Sequence, residues 1–241
     1  MSFIVKLINV FDLYTERKIF LKLKELLGKS IKQVIDVGAH KGEFIIKINR
    51  LFNIQGALSF EPNPRVFSVL NKKTNYLQNK KILKTFNLGI GENNKKEILN
   101  INIESSSSSI NKLNKQSNYF LRKYRVLNFF KNKNITEPIQ IKIEKLSDIL
   151  KKNELKEIDL LKIDTEGYEL SVLRGVINNL KDIKVIYFEH HFDDMIIKNY
   201  KLSDIHSLLI ENNFKKYFKV KMNFRKSFEY IYYNKNLLKK K

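Results

Sequence analysis

Short apolar runs alternate with segments of helical spacing along most of the chain. The apolar runs predict parallel strands at residues 34–37, 57–60, 84–88, 158–163 and 184–188. Apolar residues repeat every three or four positions in 42–51, 66–77, 168–180 and 202–212, which predicts helices. Alternating patterns at 214–220 and 228–233 predict an antiparallel pair that closes the sheet. The expected fold is therefore α/β and Rossmann-like, a seven-stranded, mostly parallel sheet with helices on both faces and an antiparallel final strand.

The first 30 residues predict a helical segment that packs on this sheet. Apolar positions between Phe3 and Leu27 repeat at three and four, as in one long amphipathic helix or two shorter ones, and Gly28 follows as a C-cap. Lysines among these positions leave a peripheral membrane contact open. We expect residues 31–241 to form one domain.

An insert at about residues 105–138 interrupts the regular pattern. It begins with five consecutive serines, which predict a loop, and it continues with mixed aromatic and basic residues at 119–130. Those residues could form a substrate lid, a membrane-facing segment or an RNA platform, or a helix that packs on the core. Residues 97–103 and 139–143 on either side predict two further strands, and residues 146–150 a short helix.

Composition excludes several kinds of site. Cysteine is absent, which excludes disulfides and thiolate chemistry, and the four histidines lack metal-ligand spacing. No metal site is predicted, and a divalent ion held by Asp164, Glu166 and Glu189 stays open because hard oxygen ligands suit Mg²⁺. The net charge of +21 comes from lysines spread along the whole chain, so we expect non-specific attraction to anions and no specific nucleic-acid partner. No apolar run of 18 residues and no secretory signal are found, and we expect a cytoplasmic protein.

The glycine turn after the first strand indicates a nucleotide cofactor. Its sequence, Asp36-Val37-Gly38-Ala39-His40-Lys41-Gly42, lacks the middle glycine of a dinucleotide fingerprint and the Gly-Lys-Ser/Thr of a P-loop. An acidic strand end with a short glycine turn favours S-adenosylmethionine, which has no pyrophosphate. Glu61 ends the second strand, close to the roughly 20-residue spacing of a ribose-binding acid. The candidate cofactor-binding residues are Asp36, Gly38, His40, Gly42, Glu61, Pro62, Gly89 and Asp164.

Four residues at the ends of the fourth and fifth predicted strands are candidates for catalysis. Asp164, Glu166, Glu189 and His190 are expected to converge near the methyl end of the cofactor, where they could remove a proton from an acceptor hydroxyl. Alternatively, Thr165 or Glu166 could serve as a helix N-cap. The neighbouring His191 is predicted to be a surface residue.

Several of these motifs together resemble the FkbM-type methyltransferase family. They are the glycine turn, Phe60-Glu61-Pro62, Lys162-Ile163-Asp164-Thr165-Glu166-Gly167-Tyr168-Glu169, and Phe188-Glu189-His190. The resemblance implies a class I methyltransferase fold, S-adenosylmethionine as donor, and O-methylation, often of sugars or secondary metabolites.

The chemistry of the fourth strand end also favours an oxygen acceptor. Methyltransferases that act on base amino groups usually carry an Asn/Asp-Pro-Pro-aromatic run there, where this chain has Asp164-Thr165-Glu166-Gly167. The expected function is O-methylation of a glycan or small-molecule acceptor. An RNA methyltransferase and a non-catalytic binding module remain alternatives.

Overall fold

The computed structural model describes residues 3–102, 108–111, 114, 116–117, 136–194, 196–223 and 226–238. The strands are β1 (Ser30–Val37), β2 (Asn53–Phe60), β3 (Leu83–Phe86), β4 (Gly89–Ile90), β5 (Lys95–Asn102), β6 (Ser108–Ser109), β7 (Thr136–Glu144), β8 (Ile158–Ile163), β9 (Ile183–His191), β10 (Phe214–Lys221) and β11 (Ser227–Asn234). The helices are α1 (Phe3–Leu27), α2 (Glu43–Leu51), α3 (Pro64–Asn79), α4 (Leu146–Lys152), α5 (Glu169–Gly175) and α6 (Leu202–Glu211), with a 3-10 helix at Ile177–Asp182.

The main sheet confirms the predicted architecture. Its seven strands run in the order β10-β11-β9-β8-β1-β2-β3. β11 pairs antiparallel with both of its neighbours, and the other pairings are parallel. Val37 at the end of β1 lies opposite Phe60 of β2 and Ile163 of β8. The residues that follow these three strands therefore meet at one edge of the sheet, beside the central strand.

Helices cover both faces of this sheet because both faces are apolar. On one face Ile19 and Leu23 of α1 pack with β1 residues such as Ile31. On the other face α4, α5 and α6 pack over β8 and β9. The N-terminal segment is a single helix, and the Gly28 N–H, at φ +74°, donates to Lys24 O over 2.9 Å.

The exposed side of α1 carries Leu13, Tyr14 and Leu21. A membrane contact through this helix stays a prediction. No helix in the described part of the chain is long and apolar enough to cross a membrane.

A second, four-stranded sheet includes the strands that precede and follow the insert in the sequence. Its order is β4-β7-β5-β6, and β5 and β7 are the two further strands that the sequence predicted. Their antiparallel pairing with each other was not predicted, because it depends on contacts between distant residues. Residues 105–107 and 118–135, where most of the insert predictions fall, lie outside the described residues.

The loop prediction is wrong for the last two serines of the run. Ser108 and Ser109 form β6 and pair with β5. Ser109 is buried, and its hydroxyl donates to Glu166 O over 2.9 Å. A short strand of small polar residues can therefore hold the backbone of the turn after β8.

Two predicted boundaries also need correction. The helix predicted at 168–180 ends at Gly175, where Val176 leaves the helical conformation with φ −119° and ψ 11°, and the 3-10 helix at Ile177–Asp182 follows. Strand β9 does not end at Phe188 but continues through His191, because each residue up to His191 pairs with β11. Because β9 is longer, the side chains of residues 189–191 alternate between the two faces of the sheet.

Candidate active site

Backbone hydrogen bonds hold the turn after β1 to the ends of its neighbouring strands, β2 and β8. Gly38 N and Ala39 N both donate to Phe60 O, over 3.0 and 2.9 Å, and Asp164 N donates to Val37 O over 2.9 Å. Gly38 has φ +78°, and a Cβ on it would lie 1.8 Å from Asp164 O. Only glycine fits here, so the turn presents bare backbone to whatever lies above it.

A cavity of about 500 Å³ opens over this turn. It lies at the carboxyl ends of the central strands, the usual ligand position in an open α/β sheet, and its volume is typical of small-molecule sites. Six of the eight predicted cofactor residues line it: Gly38, His40, Glu61, Pro62, Gly89 and Asp164. Asp36 and Gly42 lie behind its wall.

Glu61 is held rigidly at the edge of the cavity. One carboxylate oxygen accepts the His40 N–H and the other accepts the Asn63 N–H, each over 2.9 Å. Burial raises the pKa of Glu61, and these two N–H groups oppose that rise. A carboxylate oxygen has two lone pairs, so both oxygens can still accept a ligand hydroxyl.

Gly42 has a structural role. It has φ +85° and begins α2, and a Cβ on it would lie 2.9 Å from side-chain atoms of Leu70 and Thr74 in α3. The neighbouring His40 side chain lines the cavity, with Nδ1 3.2 Å from the Glu43 carboxylate. The absence of a side chain at Gly42 therefore allows α2 and α3 to pack closely together.

A lysine to which sequence reasoning gave no role lies under the turn. Lys162 Nζ is 3.3 Å from Asp36 Oδ1 and 3.3 Å from Asp164 Oδ2, and it donates to Gly38 O over 3.3 Å. Burial raises the pKa of Asp36, opposed by Lys162. Burial also disfavours the charged lysine, but the two carboxylates outweigh it and raise the pKa of Lys162. A lysine within a mostly apolar strand is the feature of the sequence that could have indicated this role.

Three of the four predicted catalytic residues come together. Asp164, Glu166 and Glu189 all line the cavity. Neither Thr165 nor Glu166 caps α5, whose first residue, Glu169, instead accepts the Gly167 N–H over 2.8 Å. The N-cap alternative is therefore wrong.

His190 does not join these carboxylates. Successive side chains of a strand point to opposite faces, so His190 points away from Glu189. It is buried 4.0 Å from the Glu169 carboxylate and lies against Phe192, with ring centroids 4.9 Å apart. Burial lowers the pKa of His190 to about 3, helped by the charges of Lys198 and His191. His190 is therefore a neutral packing residue and not a base at the cavity.

His191 was predicted to lie at the surface, but its side chain is only 11% exposed and lies among acids. Its Nε2 lies 3.2 Å from Glu166 and 3.6 Å from Glu189, and its Nδ1 lies 3.6 Å from Asp193. Burial disfavours the charged ring, but the hydrogen bond with Asp193 and the charges of Glu189 and Glu166 raise the pKa of His191 to about 10. His191 is therefore a cation that holds two lining carboxylates in place.

Strand β11 adds an acid that sequence reasoning missed. Glu229 lines the cavity directly opposite Glu189 in the strand register, and it is 7% exposed. Burial raises the pKa of Glu229 well above its usual value, and the charges of Glu189 and Asp164 raise it further. Tyr187, which is hydrogen-bonded to Glu229, lines the same wall.

Among the described residues, no group of three or more histidines and acids is placed to hold a metal ion.

Comparisons with known proteins find similar methyltransferases. A protein named Methyltransferase 1 from Beauveria bassiana (strain ARSEF 2860) is 27% identical over 144 residues, 59% of this chain and 57% of that protein. The chain thus matches little more than half of that relative's length.

Solved structures show the same fold. The methyltransferase FkbM of Methylobacillus flagellatus KT superimposes with a TM-score of 0.53 at 15% identity, over 85% of this chain and 44% of that one. Magnesium protoporphyrin IX methyltransferase from Synechocystis PCC 6803, solved with bound S-adenosylmethionine, gives 0.54 at 10% identity, over 97% and 85%.

The methyltransferase FkbM domain matches residues 36–216, which include the glycine turn, Glu61, the Asp164 turn and β9. This chain belongs to the FkbM methyltransferase family.

Proposed function

We propose that the cavity binds S-adenosylmethionine and that the protein methylates a hydroxyl of a glycan or small molecule. The residues present fit this cofactor. Gly38 leaves bare backbone where a side chain would collide with Asp164, and Glu61 offers a fixed, buried carboxylate at the position of a ribose-binding acid. When bound, the cofactor supplies a methyl group that its sulfonium already activates.

The chain's main tasks are then to align the acceptor and to take up its proton. The observation that supports a hydroxyl acceptor is the wall of carboxylates beyond the glycine turn, formed by Asp164, Glu166 and Glu189. A hydroxyl must lose its proton as it reacts, and a carboxylate within hydrogen-bonding reach can accept it.

Glu189 is our candidate for the base. Asp164 lies 3.3 Å from Lys162, and Glu166 lies 3.2 Å from His191, so each of these carboxylates already has a close cationic partner. The contact of Glu189 with His191 is longer, 3.6 Å, and Glu229 faces it from β11. Of the three carboxylates, Glu189 has the longest contact with a cation, so it is our choice for the group that accepts the hydroxyl proton.

The acidic wall also bears on the alternative acceptors. An RNA substrate would bring phosphates toward these carboxylates, in spite of the net charge of +21 on the whole chain. The alternative of a binding module without catalysis gives no reason for acids at the far end of the cavity. We therefore favour a small or glycan hydroxyl over both.

Kinetics of Glu189→Gln test the assignment of the base. We expect kcat to fall about 10²-fold, because general base catalysis is lost, with little change in cofactor affinity. Glu211→Gln, at an exposed carboxylate that ends α6, is the matched control and should behave as the parent protein. An unchanged kcat in folded Glu189→Gln would remove Glu189 from the mechanism, and Asp164→Asn and Glu166→Gln would then be compared.

A further inference from the structure

The outward side of helix α1 exposes a group of large apolar residues. Leu13, Tyr14 and Leu21 are 57%, 59% and 52% exposed, which makes them the three most exposed large apolar side chains among the described residues. They share one side of the helix, because residues three or four positions apart along a helix lie on the same side. Single exposed apolar residues are ordinary on a protein surface, whereas a group of them on one helix marks a contact surface.

Cations flank these apolar residues on the same side of the helix. Arg17, Lys18 and Lys24 are all exposed. The Lys18 ammonium lies 4.3 Å from the centre of the Tyr14 ring. Since successive residues are about 100° apart around a helix, Arg17 and Lys24 lie on one flank of Leu21 and Lys18 lies on the other.

The acids of α1 do not balance these three cations. Asp12 and Glu16 line the cavity on the inward side of the helix. Glu25 is exposed on the outward side, but Lys22 contacts its carboxylate over 2.9 Å. Between residues 12 and 27, the outward side of α1 is therefore both apolar and positively charged.

This combination fits the surface of an anionic lipid bilayer. There, apolar side chains enter the boundary between headgroups and acyl chains, while lysine and arginine contact the lipid phosphates. Tyrosine suits the same boundary, because its ring is apolar and its hydroxyl is polar. Two other partners fit less well. RNA would use the cations but would leave Leu13 and Leu21 against phosphates and sugars. A second copy of the chain, placed by two-fold symmetry, would bring the same cations together.

We propose that α1 binds the surface of anionic membranes through Leu13, Tyr14 and Leu21, with Arg17 and Lys18 at the lipid headgroups. This inference goes beyond methyl transfer and does not rest on it. Both contributions are small, so binding should be reversible and should require anionic lipid. Because the inward side of α1 lines the cavity, a bound helix would hold the cavity about one helix diameter, roughly 10–12 Å, from the headgroups.

Co-sedimentation of the full chain with lipid vesicles tests this proposal. The vesicles are phosphatidylcholine alone and phosphatidylcholine mixed with phosphatidylglycerol, which is anionic. We expect the chain to bind the mixed vesicles and to bind the neutral ones much more weakly. Added salt should weaken binding to the mixed vesicles, because it screens the attraction between the cations and the anionic lipids.

A first pair of substitutions tests the apolar contact. Leu13→Gln combined with Leu21→Gln should weaken binding to the mixed vesicles at least about 10-fold, because two large apolar side chains no longer enter the bilayer boundary. The matched control is Ile177→Gln combined with Ile210→Gln. These two residues are 38% and 43% exposed, on elements that pack on the opposite face of the main sheet, and binding should be unchanged.

A second pair tests the charges. Arg17→Gln combined with Lys18→Gln should weaken binding to the mixed vesicles about 30-fold, since each cation near an anionic surface contributes a factor of about 5. Lys151→Gln combined with Lys152→Gln is the control. It removes the same charge from exposed positions on α4 and should change binding little.

Three results would overturn the proposal. The first is equal binding to neutral and anionic vesicles, or no binding to either at low salt. The second is binding that the Leu13 and Leu21 substitutions leave unchanged while the charge substitutions abolish it, which would indicate RNA or another polyanion. The third is a dimer of the parent chain in analytical ultracentrifugation that Leu21→Gln converts to a monomer, because a second copy would then cover this side of α1. Circular dichroism of each variant checks that it is folded.

Discussion

Replacing Lys162 with methionine tests the buried ion pair under the glycine turn. Lys162 and Asp36 have side chains that are 9% and 0% exposed, and their charged atoms are 3.3 Å apart. At an effective dielectric constant of 20 that contact corresponds to roughly 5 kcal/mol of Coulomb attraction. The second contact of Lys162, with Asp164, counts for less because that carboxylate is 37% exposed and screened by water.

The stability lost in Lys162→Met depends on the carboxylate that stays buried. Lys162→Met leaves Asp36 buried without its cation, and breaking a buried pair in this way typically costs about 3–5 kcal/mol. The stability lost should shrink as the pH falls below neutral, because Asp36 can then take up a proton in the folded state. The double variant with Asp36→Asn should recover much of the loss, since no uncompensated charge is left.

Urea unfolding followed by circular dichroism measures these differences. Lys32→Met is the matched control, because Lys32 lies 3.2 Å from Glu157 but both side chains are about two-thirds exposed, at 65% and 63%. Such a surface pair should contribute no more than about 1 kcal/mol. If Lys162→Met costs no more than Lys32→Met, or if the double variant is no more stable than Lys162→Met, our account of the ion pair is refuted.

Three further predictions concern the turn, the ribose site and the pH dependence. Gly38→Ala should lose at least about 3 kcal/mol of stability in urea unfolding, because the added Cβ meets Asp164 O at 1.8 Å; a loss below about 1 kcal/mol would contradict the locked turn. Glu61→Ala should weaken S-adenosylhomocysteine binding by about 1–3 kcal/mol in calorimetry, and unchanged affinity in the folded variant would refute the ribose assignment. The pKa of His191 is raised to about 10, so its stabilisation is complete below about pH 6.5 and is lost as the pH rises through 10. His191→Gln should therefore lose stability at pH 7 and much less at pH 10.5, and equal losses at both pH values would contradict the charged histidine.

Local patterns were sufficient to predict the main sheet and to bring most of the candidate cofactor residues to one cavity. Each central strand is a short apolar run followed by an acid or a glycine, so Gly38, Glu61 and Asp164 could be placed at one edge from topology alone. The position of Asp36 behind the wall was not predictable in the same way. It depends on Lys162, whose side chain crosses from the neighbouring strand.

The errors on β9 come from one misjudged strand end. If the strand ends at Phe188, the next three residues form a free rim, and Glu189 and His190 can point the same way. Pairing with β11 extends the strand, so alternation places Glu189 and His191 on the cavity side and His190 on the other. The sequence offered no local signal for this pairing, which also brings Glu229 to the site.

Mass spectrometry of a reaction product tests the central claim most directly. The full chain would be incubated with S-adenosylmethionine carrying an isotopically labelled methyl group and with a panel of neutral and amino sugars. We expect the label to appear in an acceptor as an O-methyl ether, and Glu189→Gln to slow its appearance. Label found only on nitrogen or in RNA, or no binding of S-adenosylmethionine to the folded protein, would contradict it.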